Sequence, residues 1–90
     1  MKRKKEQPKI LTPFDIRVIR TTLNLNQKEF AERCGFSASF IWLIECGRRR
    51  ITPAAEQKII NGLINNIGLT EEQLNKIIYI SKSLQSVVTD

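Results

Sequence analysis

The side chains best suited to chemistry in this chain are cations, and their arrangement suits holding an anion better than driving a reaction. Arg48, Arg49 and Arg50 stand in an unbroken run. Residues 1–9 hold five basic side chains against one acidic, a net of +4; residues 10–50 hold seven against four, +3; residues 51–90 hold three against four, −1. The positive charge is therefore gathered on the amino-terminal arm and the stretch ending at Arg50, the electrostatic footprint of a polyanionic partner. The plainer readings are a solvated basic tail and a solvated loop that offsets the dipole of the helix before it. Groups for covalent or metal chemistry are scarce. The 90 residues include no histidine, and Cys34 and Cys46, twelve apart, do not make a zinc site. No phosphate-cradling loop of the GxGxxG or GxxxxGK type is present. Ser37 and Ser39 have no base placed for them by a recognisable motif. Neither an enzyme nor a cofactor nor a metal is expected.

The stretch that must position these groups is Asn26–Arg50, NQKEFAERCGFSASFIWLIECGRRR, which reads as two short helices joined by a tight glycine turn. Asn26 caps a helix that begins at Gln27 and has Glu29 in its third position, the pattern of a capping box. Phe30, Ala31 and Cys34 share one face of it. Gly35 ends the helix, Ser37 caps the next, and Gly47 stops that second helix, 38–46. With Ile41, Ile44 and Glu45 turned inward, geometry leaves Ala38, Ser39, Trp42 and Leu43 outward and Phe40 at the boundary. Helices on so short a connector cross steeply.

At these residues the segment resembles the helix-turn-helix of the Cro and phage-repressor (Xre-type) family of bacterial DNA-binding proteins. The resemblance covers roughly Ile16 to Leu63. It rests on Ile16, Ile19, Arg20, Leu25-Asn26-Gln27, Phe30-Ala31, Gly35 with Ser37, Ile41, Ile44-Glu45 and Gly47, with Ala31 where the family needs a small residue between helices. It implies an all-α, five-helix, lambda-repressor-like fold. It also implies roles: Gln27 holding a phosphate at a helix N-terminus, Arg48, Arg49 and Arg50 meeting the DNA backbone with Lys28 adding charge, and Ala38, Ser39, Trp42 and Leu43 facing base edges in the major groove. Arg20 would pair with Glu45 and tie the first helix to the end of the third, since a partly buried charge needs a partner; the alternative is two unrelated surface charges. The chain departs from the family on the outward face, where glutamines, arginines and other polar groups are usual. Here Ser39 alone could bond a base directly, while Ala38 and Leu43 could touch thymine methyl groups. Trp42 could pack along sugars, wedge between bases or bind another protein.

Thr12-Pro13-Phe14-Asp15 starts a first helix that runs to about Leu23, with Ile16, Ile19 and Leu23 inward and Arg17 and Thr21 outward. Thr52-Pro53 opens a fourth helix through Asn65 or Ile67, in which Gly62 costs about 1 kcal/mol relative to alanine and suits close helix packing. Thr70 and Gln73 box the start of a fifth helix reaching about Val87. Its stripe of Leu74, Ile77, Ile78, Ser81, Leu84 and Val88, with Tyr79 and Ile80 beside it, either folds back to complete the core or exceeds it and pairs with a second copy. The organisation expected is a disordered basic arm over 1–9, a helix-turn-helix domain over 10–69, and a C-terminal helix over 70–90 as a dimerisation element. Ninety residues make one domain. Without an apolar run of about eighteen residues no membrane span is expected, and with no secretory signal the two cysteines are expected to be reduced in a cytoplasm. The function expected is a small DNA-binding transcriptional regulator, a repressor, of a bacterium, phage or mobile element, acting as a homodimer on double-stranded DNA. The alternative is a protein-interaction module, or an accessory protein of plasmid transfer or replication, using Phe40, Trp42 and Leu43.

Overall fold

Each α-helix begins where a side-chain oxygen meets amides that the helix itself leaves unpaired. The computed structural model describes residues 11–89, with side chains described through Val87. Thr12 Oγ1 accepts from the Asp15 amide at 3.1 Å while Asp15 Oδ2 accepts from the Thr12 amide at 2.9 Å, so α1 (Pro13–Thr22) starts on a capping box. Asn26 and Glu29 do the same for α2 (Gln27–Cys34), at 2.8 and 2.9 Å. Ser37 caps α3 (Ala38–Glu45) and Thr52 caps α4 (Pro53–Asn61). Thr70 and Gln73 box the start of α5 (Glu71–Thr89), each bond 3.0 Å long. A cap of this kind is worth about 1 kcal/mol.

The protein is all-helical, and the elements share one core. Ile16 and Ile19 of α1, Phe30, Ala31 and Cys34 of α2, Ile41 and Ile44 of α3, Ile59 of α4 and Leu74 of α5 are buried together with Leu11 and Leu63. α1 packs on α3 and α5; α2 packs on α3, α4 and the turn that follows α4. The last helix therefore folds back onto the first, with Ile77 and Ile78 half-buried. It still shows water an apolar stripe: Tyr79 is 73 % exposed, Ile80 53 %, Leu84 45 % and Val87 74 %. The basic arm over 1–9, and the Val88 end of this stripe, lie outside the described residues and side chains. Among the described residues no helix is long and apolar enough to cross a membrane.

α4 does not run on as an α-helix to Asn65 or Ile67. Gly62–Ile67 winds as a π-helix and ends at Gly68. Over six residues the apolar spacing of the sequence does not separate a turn of 3.6 residues from a wider one. Gly62 sits where this segment crosses α2: a Cβ there would stand 2.8 Å from the Arg33 carbonyl oxygen and 2.9 Å from Cys34 Cα. Asn66 Nδ2 donates to the same Arg33 oxygen at 2.7 Å. Gly62→Ala is expected to destabilise by about 1 to 3 kcal/mol, the usual cost of overpacking. The gain in helix propensity, about 1 kcal/mol, opposes this and is too small to reverse it, since the atoms met are backbone and cannot rotate away. A denaturant midpoint for the variant at or above wild type would show that the two segments have room to part.

The seam between α1 and α5 is polar at its centre. Asp15 is fully buried. Its Oδ1 accepts from Ser81 Oγ and from Gln85 Nε2 at 2.8 Å, and its Oδ2 from Lys82 Nζ at 2.6 Å. Thr12 Oγ1 donates to Gln85 Oε1 at 2.8 Å and closes the cluster. Burial by itself would raise the Asp15 carboxyl, but the bonds from Lys82, Ser81 and the Thr12 amide and the charge of Lys82 outweigh it and hold the group below its ordinary value. From the sequence Asp15 is expected only as an acid at the positive end of a helix dipole. The signal that it had a partner was Ser81, a hydroxyl at a core position of an otherwise apolar stripe.

Candidate nucleic-acid interface

Gly35 takes a left-handed conformation, φ 79°, which a residue without a Cβ adopts freely, and the Phe36 amide returns to the Ala31 carbonyl at 2.8 Å. The chain thus leaves α2 and enters α3 within three residues, and Ala31, 1 % exposed, adds no bulk between the two helices. Ile41 and Ile44 sink into the core from α3. Ala38, Ser39 and Trp42 are exposed on the opposite side, Trp42 by 47 %, and Leu43 is half-buried at their edge. Cys46, exposed, stands four residues after Trp42 and prolongs the same strip. Its counterpart Cys34 is shut in the core, where burial pushes the thiol up to about 11.

Phe40 does not share that outer strip. It is half-buried and stacks on Phe36 with ring centroids 4.5 Å apart. The Arg49 guanidinium lies 5.2 Å from the Phe40 centroid and Lys58 Nζ 4.7 Å from that of Phe36, so each ring carries a cation. The arginine run begins by wrapping the end of α3: the Arg48 and Arg49 amides both donate to the Leu43 carbonyl, at 2.9 and 3.2 Å. Arg48, Arg49, Arg50 and Lys28 are all exposed.

The same end of α3 is locked from below. The Glu45 side chain, 2 % exposed, accepts from Arg20 Nε at 2.6 Å, Arg20 Nη2 at 2.9 Å and Gln27 Nε2 at 3.1 Å. Arg20 Nη1 donates to the Leu25 carbonyl at 3.0 Å, so one guanidinium spans α1, the α1–α2 junction and α3. Burial would raise the Glu45 carboxyl; the bonds from Arg20 and Gln27 and the charges of Arg20 and Arg17 reverse this and hold it below its ordinary value. The bond to Glu45 raises Arg20 in turn, against the opposing effect of burial.

Gln27 is therefore committed on one of its two amide hydrogens, and its backbone amide, with that of Lys28, lies in the first turn of α2 where helix geometry supplies no carbonyl. Arg17 joins this edge, its Nε 3.7 Å from Glu45 Oε1 and its side chain 57 % exposed. Helical period alone turns Arg17 outward; its position three residues before Arg20, on the same side of α1, is the signal in the sequence for this contact. The result is an outward helix face of apolar character with one hydroxyl, bordered through Glu45 by Arg17 and Gln27, with Lys28 next to Gln27 in α2, and through Phe40 by Arg49 of the arginine run. Such a surface can hold phosphates at its rim and bury apolar groups at its centre. No protein-family model, curated protein or solved structure matches this chain.

Proposed function

We propose that this protein is a sequence-dependent DNA-binding transcriptional regulator, a repressor of the Cro and phage-repressor type belonging to a bacterium, phage or mobile element, and that it lays α3 in the major groove of double-stranded DNA. The observation that carries the reading is the exposed cations Lys28, Arg48, Arg49 and Arg50 beside an exposed face of Ala38, Ser39 and Trp42, with half-buried Leu43 at its edge, on a helix locked at Glu45. In this reading α2 and α3 form the helix-turn-helix of a lambda-repressor-like domain in a cytoplasm. Gln27, Lys28 and the arginines hold phosphates and supply affinity by counterion release, while the α3 face supplies what sequence preference there is. Control follows from occupancy of the site. The exposed stripe of α5, Tyr79, Ile80, Leu84 and Val87, is the face proposed for pairing two copies on paired half-sites. No catalytic step, metal or cofactor enters the mechanism.

The test is a titration of duplexes at several salt concentrations. Affinity should fall linearly on a log–log plot, by about 0.9 per phosphate held. Replacing Arg48, Arg49 and Arg50 together by alanine should weaken every duplex alike and flatten that slope, with little change in melting temperature. If no duplex is bound even near 50 mM salt, where such contacts are strongest, the reading fails. The exposure of Trp42 then favours a protein-docking role for the same face.

A further inference from the structure

We infer that the α3 face reads the C5-methyl group of pyrimidines, so that 5-methylcytosine serves as well as thymine and a cytosine-methylated duplex is bound in preference to the bare one. The inference rests on the DNA-binding reading above and names the chemistry its central face recognises.

In the major groove every base pair shows hydrogen-bond donors and acceptors, and thymine adds a methyl group at C5. The exposed part of α3 can answer few of the polar groups. Ser39 brings one hydroxyl and Trp42 one indole N–H, while Ala38 and Leu43 bring neither, so no side chain on this face makes the paired bonds that read guanine or adenine. Polar base edges pressed against it would lose water without gaining partners. A methyl group pressed against Ala38, Trp42 or Leu43 loses nothing of that kind and leaves water. The cationic rim selects the occupant from outside: Arg17, Lys28, Arg48, Arg49 and Arg50 are exposed around the face and complement the phosphates on either side of a groove. An apolar centre inside a basic rim thus fits a groove floor studded with methyl groups. Cytosine carries hydrogen at C5, and methylation there places the same group at the same ring position as in thymine. Uracil differs from thymine only by lacking it.

The experiment uses the full chain and one duplex that it binds, prepared in three forms of equal charge and length: unmodified, with 2′-deoxyuridine for the thymines, and with 5-methylcytosine for the cytosines. Burying one methyl-sized group corresponds to about fourfold in affinity. Deoxyuridine should weaken binding by about that factor for each contacted position, and 5-methylcytosine should tighten it by a similar one. Trp42→Ala and Leu43→Ala should shrink the spread among the three forms; Trp42, nearly half exposed, serves where Leu43→Ala fails to fold. Arg49→Ala should weaken all three by one common factor and leave the spread intact. Equal binding of the three forms, or weaker binding of the methylated one, overturns the inference and leaves DNA binding standing. Absence of binding to every form at low salt removes both.

Discussion

Asp15→Ala should lower the free energy of unfolding by about 3 to 5 kcal/mol, and the melting temperature by more than about 10 °C, which makes a residue outside the proposed interface one of the two most sensitive polar positions in the fold. The carboxylate is fully buried between α1 and α5 and accepts from Ser81, Gln85, Lys82 and the Thr12 amide. Truncation strips the acceptor from the buried Ser81 hydroxyl, at about 1 to 3 kcal/mol for an orphaned group, and breaks the capping box of α1 besides. The effect depends on pH in a definite direction. Because the folded state holds the carboxyl below its ordinary value, its contribution is complete above the unfolded-state value near pH 4 and is lost as pH falls through the lower, folded one. The gap between wild type and Asp15→Ala should be constant from pH 7 to about pH 5 and close under stronger acid. Equilibrium denaturation of both proteins across this range measures it; a gap under about 1 kcal/mol at pH 7 would mean that the seam is held by its apolar contacts alone.

Glu45→Ala should cost about 3 kcal/mol. An exposed ion pair is worth about 1 kcal/mol or less and a buried one costs about 3 to 5 when one partner is removed; side-chain exposures of 14 % for Arg20 and 2 % for Glu45 place this pair near the second case. Truncation leaves Arg20 without its carboxylate and Gln27 without its acceptor, so the damage should reach the α2 N-terminus as well as α3. The double variant Arg20→Met, Glu45→Met should recover much of the loss, since it buries no orphaned charge. A double-mutant cycle reporting a coupling below about 0.5 kcal/mol would reduce the pair to two independent surface charges. Acid acts on this pair with the same sign as at Asp15: Glu45 also sits below its ordinary value, so its share of stability is present above the usual carboxylate range and disappears below it.

What could be read from the amino acids alone was what is decided within one turn of chain. Thr12, Asn26, Thr52 and Thr70 mark helix starts because cap and amide are three residues apart, and each accepts from that amide, of Asp15, Glu29, Ala55 and Gln73 in turn. The inward set Ile16, Ile19, Ile41 and Ile44 follows from helical period, and so does the exposure of Ala38, Ser39 and Trp42. The polar contacts between elements were less legible. Asp15 meets Ser81 across 66 residues, and the Leu11 amide donates to the buried Glu56 carboxylate across 45. Helical spacing puts the Ser81 hydroxyl at a core position but leaves no trace of which residue meets it, because side-chain partners of that kind are chosen by how helices stack. The same holds at the interface. The phosphate role of Gln27 is what the resemblance implies at a helix start, but its bond to Glu45, which orients it, depends on the crossing of α2 and α3. Phe40 looked like a boundary residue by period, and only the ring of Phe36 across the turn determines the side to which it leans.

Gly62 gives the packing of α2 against the π-helical turn a genetic signature. Its missing Cβ is a space already filled by the backbone at Arg33 and Cys34. Every base change at the first or second position of a glycine codon either brings a side chain into that space or ends the chain, so the third base alone is free to drift. The codon is thus constrained by a helix other than the one it encodes, and the intolerance would persist however favourable the incoming residue were for helix formation.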